Sequence, residues 1–454
     1  MIAFLGRALA GDRPLGRGWF ALAAVALLVL KLGLRVVLLP QALTFLQLFD
    51  PEVVKEIMRL WMPLLVQDAS LLVWLALDLV TSWLIVMFGL RRAADAGRGQ
   101  FAAVLAMIPL LLVPAAAYLC LLPSRPVGTS PVGVPVQGDT PSWPDAVLAV
   151  LVGALLTVAM VAVGGLLLGT YQYGLFVLTP FLIGVVAGYL VNRHGDRGLA
   201  TTTKAVGLST LAGSVALVSF AIEGLICIAV IAPLGFAVAW LGALAGRAAA
   251  RTASWGRMNV GGAVAALLMV LALESLAQRE AAFELRSTID IDAPPAAVWR
   301  ALVRMQPIAE APALPFRLGV AYPMSASLSG EGVGAIRRGE FSTGTAIEQI
   351  VAWQPEVELA YRVLNEPPTM RELSFHEVVH APHVHGYFTT GDSRFSLERL
   401  PGARTRLSVT TQHALRLEPS AYWLPVARWA VRENHGRVLR HIRSDAQSQI
   451  LAPL

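Results

Sequence analysis

The motif HEVVH at residues 376–380 has the spacing of the zinc-peptidase signature HExxH. That signature works on a helix, where both imidazoles share one face and the glutamate reaches a metal-bound water. Here the flanking residues are typical of a β-strand, Pro382 follows closely, and in a strand Glu377 would point away from both histidines. His383 and His385 enlarge the group, so adventitious or regulatory metal binding is the alternative. We interpret these as polar residues around a strand end and expect no metal site and no cofactor.

Other polar side chains in the C-terminal third are of types that could perform acid–base chemistry. They are Glu340, His380, His413, Tyr422 and His435. A proton abstraction needs a base with a pKa near neutrality and a donor for the oxygen that gains charge. His380 or His413 could be that base, and Arg338 or Tyr422 that donor. No spacing in the sequence ties these residues together, so solvated or structural positions explain each of them as well.

The elements that must position these residues form an α+β pattern. Alternating apolar residues predict a strand near residues 284–291, and Asp292 with two prolines then predicts a turn into a helix. Further strands are expected at 330–339, 341–353, 357–363, 376–380, 388–399 and 404–413. An amphipathic helix is predicted over residues 420–447. Its stripe carries Trp423, Ala427, Ala430, Asn434, Val438 and His441. We therefore predict a helix-grip domain, an antiparallel sheet wrapped on a long C-terminal helix.

This order of elements resembles the START-like superfamily, also called SRPBCC, which includes polyketide cyclases and lipid-transfer domains. The likeness rests on the strand followed by Ala-Pro-x-x-x-Val-Trp at residues 293–299, and on segments 330–344, 400–407 and 435–442. It covers residues 284–447. It implies an apolar cavity between the sheet and the terminal helix for a lipophilic small molecule. Trp423 and Ala430 would then line that cavity and Asn434 would orient the ligand, although such a fold does not fix the chemistry.

Residues 1–280 have a different character, because apolar stretches long enough to cross a bilayer follow one another. Residues 1–125 are predicted to form a membrane domain of three spans with an interfacial helix at 50–65. Residues 126–144 read as a Pro/Gly-rich loop, and residues 145–280 as a second membrane region of about five spans. The predicted spans lie at 19–39, 69–90, 101–122, 145–168, 173–191, 205–246 (two spans divided at Glu223) and 259–278. The fold prediction is thus a multi-span α-helical membrane domain followed by the soluble α+β domain.

Residues 91–114 resemble the signature of a bacterial inner-membrane family of unknown function. Its pattern is Arg-x-x-His-Asp-x-Gly-x-Ser-Gly-Trp, followed by a span with an internal proline. Arg91, Arg92, Asp95, Gly97 and Pro109 match, whereas Ala94, Gln100 and Phe101 depart from it. The likeness covers roughly residues 15–125. It implies an inner-membrane location and no known activity.

Charge separates the two halves of the chain. From residue 280 onward there are 18 Arg and 18 Asp plus Glu, so the net charge of +6 belongs to the N-terminal half. Basic residues beside apolar spans are typical of headgroup contacts and of topology signals. The charge therefore does not indicate a nucleic-acid partner. We expect a multi-pass protein with a cytoplasmic C-terminal domain, whose partners are membrane lipids and a lipophilic small molecule; a protein partner is unknown.

Charged residues within the apolar stretches are costly and so are candidates for a function. Lys31 and Asp78 are expected at similar depths in the first two spans, where they could form an ion pair. Glu223 is expected to cap the turn between two spans. Cys120 and Cys227 both lie in apolar stretches, which indicates no disulfide framework.

Two functions follow from these patterns. The leading one is a membrane-tethered domain that binds a lipid or isoprenoid-like molecule, as a carrier or a sensor. The alternative is a cyclase- or aromatase-like enzyme acting on a membrane-soluble substrate. The sequence does not decide whether the protein is an enzyme. The lack of a linked acid–base pair argues against catalysis.

Overall fold

The computed structural model describes residues 15–38, 67–96, 100–108, 111–124, 143–251, 260–374, 376, 379 and 381–451. The predicted interfacial helix at 50–65 lies outside these residues. So do residues 126–142 of the loop predicted at 126–144. The chain forms two compact units. The first comprises Met1–Ile222 with Ile228–Ala277, and the second Glu223–Cys227 with Gln278–Leu454.

Helices account for the regular structure described in the first unit. They are α1 (Arg17–Leu38), α2 (Gln67–Ala96), α3 (Gln100–Leu105), α4 (Leu112–Leu121), α5 (Trp143–Val161), α6 (Thr179–Asn192), α7 (Leu199–Ser219), α8 (Leu225–Arg251) and α9 (Val260–Leu276). The segments Ala162–Leu167 and Gly174–Leu178 are π-helical and adjoin α5 and α6. The first three residues of α8 belong to the second unit.

Within the described part of the chain, five helical segments are long and apolar enough to cross a bilayer. They are Arg17–Leu34, Leu72–Ala96, Pro144–Leu167, Gly174–Asn192 and Leu225–Arg251. Leucines on these helices stay exposed, such as Leu22 at 61% and Leu155 at 67%, as expected of surfaces that face lipid. The predicted run of apolar helices is confirmed. A continuous span over 101–122 is wrong, because α3 and α4 are separate helices; the sequence between them holds Pro109, which cannot donate a backbone hydrogen bond.

Small residues allow α6 and α8 to pack closely. A Cβ on Gly184 would lie 1.8 Å from the Ala239 carbonyl oxygen, and one on Gly188 would lie 2.3 Å from that of Ala243. Gly242 is likewise in close contact with the backbone of α6. These spacings of four residues resemble the small-xxx-small pattern by which helices associate in lipid, where van der Waals packing replaces the hydrophobic effect.

The second unit contains a seven-stranded antiparallel sheet. Its strands are β1 (Ala281–Ile291), β2 (Pro323–Ser329), β3 (Ile336–Phe341), β4 (Gly344–Gln354), β5 (Glu358–Asn365), β6 (Phe388–Leu400) and β7 (Arg404–Leu415). They are ordered β1-β7-β6-β5-β4-β3-β2, so the first strand pairs with the last. Two short helices, α10 (Pro295–Val303) and α11 (Leu314–Arg317), follow β1, and the 32-residue helix α12 (Ser420–Leu451) ends the chain.

The sheet curves around α12, and the main core of the unit lies at the C-terminal end of this helix. Leu439, Ile442 and Ala446 of α12 are 0–3% exposed and pack against strand residues such as Leu359 and Leu407. The predicted α+β helix-grip fold is confirmed. The sequence reasoning missed β2, and it was wrong about a strand at 376–380, since neither described residue of that segment, His376 or Val379, lies in one.

Candidate functional site

A row of polar side chains lies between the sheet and the N-terminal half of α12. Side chains alternate between the two faces of a strand, and the buried face of β7 carries Thr411 and His413. The register places Phe283 opposite His413 and Leu285 opposite Thr411. His435 of α12, which is 7% exposed, points to the same face of the sheet.

These residues form one continuous chain of hydrogen bonds, referred to below as the histidine chain. The Thr411 hydroxyl lies 2.6 Å from Nε2 of His413 and 3.0 Å from Nε2 of His435. At the two ends, Ser287 Oγ lies 3.0 Å from Nδ1 of His435, and Thr390 Oγ1 lies 3.3 Å from Nδ1 of His413. Three strands and the terminal helix thus meet in a single polar network.

When Thr411 donates within this chain, the hydrogens all run in one direction. A neutral imidazole donates from one nitrogen and accepts at the other, and a hydroxyl carries one proton. If Thr411 donates to His413, then His435 donates to Thr411 and accepts from Ser287, while His413 donates to Thr390. The reverse order satisfies the same groups. The chain can therefore present either a donor or an acceptor at each end without creating a charge.

Both imidazoles lie in surroundings that oppose protonation. Burial lowers the pKa of His413 to about 3, with a smaller contribution from His435, and burial lowers the pKa of His435 to about 4. The ring of His413 packs against those of Phe283 and Phe388, with centroids 5.2 and 5.0 Å away. At neutral pH the histidine chain is thus a polar group without charge in apolar surroundings.

The apolar side chains around the chain are less completely buried than the main core. Phe283, Leu285 and Val431 are each 7% exposed, and the partly buried Phe388, Leu424 and Ala427 pack against them. This set is called the histidine-side cluster. Apolar surface that remains partly accessible beside a convergent polar group is typical of a small-molecule site.

A second buried polar group lies on β3, β4 and β5. Arg337 and Glu348 form an ion pair with side chains 6% and 5% exposed. The Arg337 guanidinium lies 4.7 Å from the ring centroid of Tyr361. Burial raises the pKa of Glu348 in spite of the adjacent guanidinium, and burial together with Glu348 raises the pKa of Tyr361 to about 12. The Tyr361 hydroxyl therefore stays protonated, with Ser393 as a hydrogen-bond partner.

The predicted strand residues fall on different faces of the sheet. Arg338 and Glu340 alternate with the buried Arg337, so they lie on the opposite face, where Arg338 is exposed. Glu340 accepts a hydrogen bond of 2.7 Å from Thr345. His380 lies outside the described residues. Of the predicted strand residues, only His413 is part of the histidine chain.

The predicted residues of α12 are also divided. Trp423 is 8% exposed, Ala430 is half-buried, and the half-buried Tyr422 packs edge-on against Trp423. Asn434 donates to the Ala321 carbonyl at 3.1 Å and does not point into the sheet face that His435 occupies. The stripe of lowest exposure includes Val431, His435, Leu439 and Ile442, next to the one predicted.

Asn434 lines a separate pocket of about 280 Å³. Its other lining residues include Glu310, Tyr322, Arg437 and Arg440. Arg440 pairs with Glu310 at 2.9 Å, and Arg437 donates to the carbonyls of Pro323, Ile308 and Glu310. These charged side chains already have partners, so this pocket does not have the character expected for a lipophilic ligand.

In the first unit, the predicted pair Lys31–Asp78 and two residues of the signature, Arg92 and Asp95, have clear partners. Lys31 Nζ lies 2.7 Å from Asp78 Oδ1 and 2.5 Å from Ser82 Oγ. Arg92 is fully buried and donates to Asp95 and to the carbonyls of Leu119 and Leu122 at the end of α4. The Arg92 geometry is that of a helix cap, so it explains Arg92 and Asp95 structurally.

Metal ligands are a separate matter. Among the described residues, the one group of three or more His, Cys, Asp or Glu side chains close enough to share an ion is Glu223, Cys227 and His383. None of the three belongs to the histidine chain. Of them, only His383 was considered from the sequence as part of a metal site.

Known proteins with similar structures match a C-terminal region of the chain. The Zhui aromatase/cyclase from Streptomyces sp. R1128 aligns at 16% identity over 37% of this chain and 96% of its own, with a TM-score of 0.26. A Thermus thermophilus protein aligns at 16% identity over 37% of this chain and 99% of its own, with a TM-score of 0.26. A Mesorhizobium loti protein aligns at 15% identity over 37% of this chain and 98% of its own, with a TM-score of 0.24. No protein-family model and no curated protein sequence match the chain. Likenesses this weak support no statement about activity or ligand.

Proposed function

We propose that the second unit binds a lipophilic small molecule between β1, β7 and the N-terminal half of α12. The apolar body of the ligand would pack on the histidine-side cluster. Its polar end, a hydroxyl or carbonyl group, would bind at one end of the histidine chain. Such a ligand matches the site in both respects, since it is apolar over most of its surface and uncharged where it is polar.

The observation that carries this proposal is the pairing of neutral histidines with partly accessible apolar side chains. Phe388, Leu424 and Ala427 are only partly buried, although they adjoin the buried Phe283 and Val431. A ligand that covered them would remove apolar surface from water, which stabilises a complex by about 25 cal/mol per Å² before the costs of association. Because the histidine chain reverses its direction without gaining charge, it can serve a ligand that donates or one that accepts.

The same observation weighs against the cyclase-like alternative. A general base works best with a pKa near the working pH, and the pKa values of His413 and His435 are about 3 and about 4. Tyr361, with a pKa of about 12, is a hydrogen-bond donor at neutral pH and not an acid of matched strength. These groups hold and orient a ligand more readily than they move its protons.

The apolar helices of the first unit extend the proposal to a location. Five helical segments in the described part of the chain have the length and composition to span a bilayer, which suits a membrane protein. We infer an inner-membrane protein whose soluble unit lies in the cytoplasm and takes its ligand from the bilayer, as a carrier or as a sensor of a membrane-soluble compound. The cytoplasmic location can be tested by fusing a reporter after Leu454. A reporter that works only in the periplasm should show no activity there.

The experiment is native mass spectrometry of the full-length protein released from detergent, followed by organic extraction and identification of what it carries. We expect one lipophilic compound with a single uncharged polar end at a stoichiometry near one. Incubation of the loaded protein then distinguishes the alternatives, since a binder returns the compound unchanged and an enzyme converts it. A protein that carries nothing and also takes up no lipid or isoprenoid alcohol from mixed micelles would contradict the proposal.

A further inference from the structure

Four chemically reactive side chains converge within the second unit, outside the histidine chain. Glu223, Cys227 and His383 are 4%, 8% and 7% exposed, and each offers a ligand atom within 4.8 Å of the other two. Glu223 Oε2 lies 3.4 Å from His383 Nδ1. On the other side of the ring, Glu372 Oε1 lies 3.6 Å from His383 Nε2, and the Glu372 side chain is 3% exposed. Because Glu223–Cys227 belongs to this unit, the whole group lies in one compact body.

The backbone holds this group in place. The amide of Leu225 donates to the Leu373 carbonyl at 2.9 Å, and the amide of Ile226 donates to Glu372 Oε2 at 3.3 Å. Gly224 lets the two segments approach, since a Cβ there would lie 2.0 Å from Glu372 Oε2. Residues far apart in the sequence are thus brought together by specific contacts, which distinguishes the group from an incidental set of surface acids.

The charges of the group suit a cation. Two buried carboxylates face one imidazole, and the Cys227 thiol hydrogen-bonds to Glu223. Buried carboxylates are stable only when they are paired or coordinate a metal. Even a protonated imidazole offsets only one of the two carboxylate charges. A divalent cation offsets two negative charges, and its binding to Cys227 releases the thiol proton.

We propose that Glu223, Cys227 and His383 bind a divalent transition-metal ion of the zinc class. Thiolate, imidazole and carboxylate are the ligands that Zn²⁺ and Co²⁺ accept, whereas Mg²⁺ and Ca²⁺ require oxygen ligands. Two ligands at about 2.0–2.1 Å from a tetrahedral ion lie about 3.3 Å apart, close to the 3.4 Å between Glu223 Oε2 and His383 Nδ1. Three protein ligands leave the fourth position of the ion for water or another small molecule.

Glu372 has a different task in this site. With the ion on Nδ1 of His383, the Nε2–H group faces Glu372 Oε1, 3.6 Å away, and a shift of a few tenths of an ångström would let it donate to this carboxylate. Such a carboxylate fixes the tautomer and the orientation of a metal-binding histidine. Glu372 is therefore a positioning residue, and its own amide partner, Ile226, holds it there. This site departs from the sequence-based expectation that the protein has no metal.

The test uses the purified full-length protein, stripped with a chelator and titrated with Co²⁺. We expect one equivalent to bind, with the intense d–d absorption of a tetrahedral ion and a thiolate-to-cobalt charge-transfer band, both abolished by Zn²⁺. The spectrum of the unaltered protein alone decides whether a thiolate binds the ion. A wild-type protein that binds no Co²⁺, or binds it without the thiolate band, would overturn the proposal.

Variants then locate the site. Cys227→Ser should remove the thiolate band, while Cys120→Ser, the matched control at the other cysteine, should keep it. Glu372→Gln should keep the band and weaken Co²⁺ affinity about 10- to 100-fold. His385→Gln, at an exposed histidine, controls for adventitious binding and should change nothing. A thiolate band that persists in Cys227→Ser, or disappears in Cys120→Ser, would contradict the assignment.

Discussion

The Nε2 atoms of His413 and His435 both lie within hydrogen-bond distance of a single hydroxyl, that of Thr411, at 2.6 and 3.0 Å. One residue comes from the last strand and the other from the terminal helix, so this bridge joins the sheet to the helix it surrounds. Since Thr411 carries one proton, at least one of the two imidazoles must donate to it from Nε2, and this requirement couples the tautomers of the two histidines. A ligand that donates at one end of the chain therefore determines which group is presented at the other.

The first prediction concerns pH. The pKa values of His413 and His435 are lower in the folded protein, about 3 and about 4, than the ordinary value of 6.5. Their neutral forms contribute fully to stability above pH 6.5, and the contribution is lost as the pH falls toward the folded values, because the unfolded chain gains protons first. Each histidine should lower the free energy of unfolding by about 2 kcal/mol between pH 7 and pH 5.

Thermal unfolding of the full-length protein at a series of pH values measures this effect. His435→Gln should flatten the pH dependence of Tm in that window, and His385→Gln, at an exposed position, should leave it as in the wild type. If Tm changed equally with pH in the wild type and in both variants, the histidine chain would tolerate charge.

The second prediction concerns the buried pair of Arg337 and Glu348. Removing one partner leaves a buried charge without its counterpart, which costs about 3–5 kcal/mol. Arg337→Met should therefore lower Tm strongly, and the double variant with Glu348→Leu should recover much of the loss. Arg338→Met is the matched control, because Arg338 is exposed although it is next to Arg337 in the strand. If Arg337→Met were as stable as Arg338→Met, the pair would not be buried as described.

The third prediction concerns the contact of α6 with α8. Gly184→Val would place a side chain against the Ala239 carbonyl, 1.8 Å from the new Cβ. The helices would have to separate, so the yield of monodisperse protein in detergent should fall several-fold. Gly235→Val, on α8 itself, meets nothing within 4 Å and should behave as the wild type. Size-exclusion profiles of the two variants compare them directly, and identical profiles would rule out the close packing.

The sequence predicted the order of elements well and the phase of single positions less well. Arg338 was chosen as an inward donor, but the buried residue is its neighbour Arg337. Asn434 was chosen for the inward stripe of α12, but the residue that faces the sheet is its neighbour His435, which was considered only as an acid–base candidate. An error of one position reverses the face of a strand and rotates a helix by about 100°. The pattern of apolar residues in these segments did not show clearly enough which positions face the core.

The groups that carry chemistry could not be assembled from sequence at all. Ser287 and His435 meet across 148 positions, and that contact depends on β1 pairing with β7 at the far end of the sheet. Cys227 and His383 likewise come together only because Leu225 bonds to Leu373. Local periodicity contains no information on such distant pairing. The Lys31–Asp78 pair was accessible to sequence reasoning because equal depth in two neighbouring spans sufficed.

The most direct measurement of the central claim is the amount of ligand that co-purifies with Ala427→Trp. Ala427 belongs to the histidine-side cluster, so an indole there should fill the space that the ligand occupies, at a cost to stability of about 1–3 kcal/mol. Ser444→Trp adds the same indole to an exposed position of the same helix. We predict that Ser444→Trp carries as much ligand as the wild type and that folded Ala427→Trp carries little or none. Equal ligand in both folded variants would contradict binding between the sheet and the terminal helix.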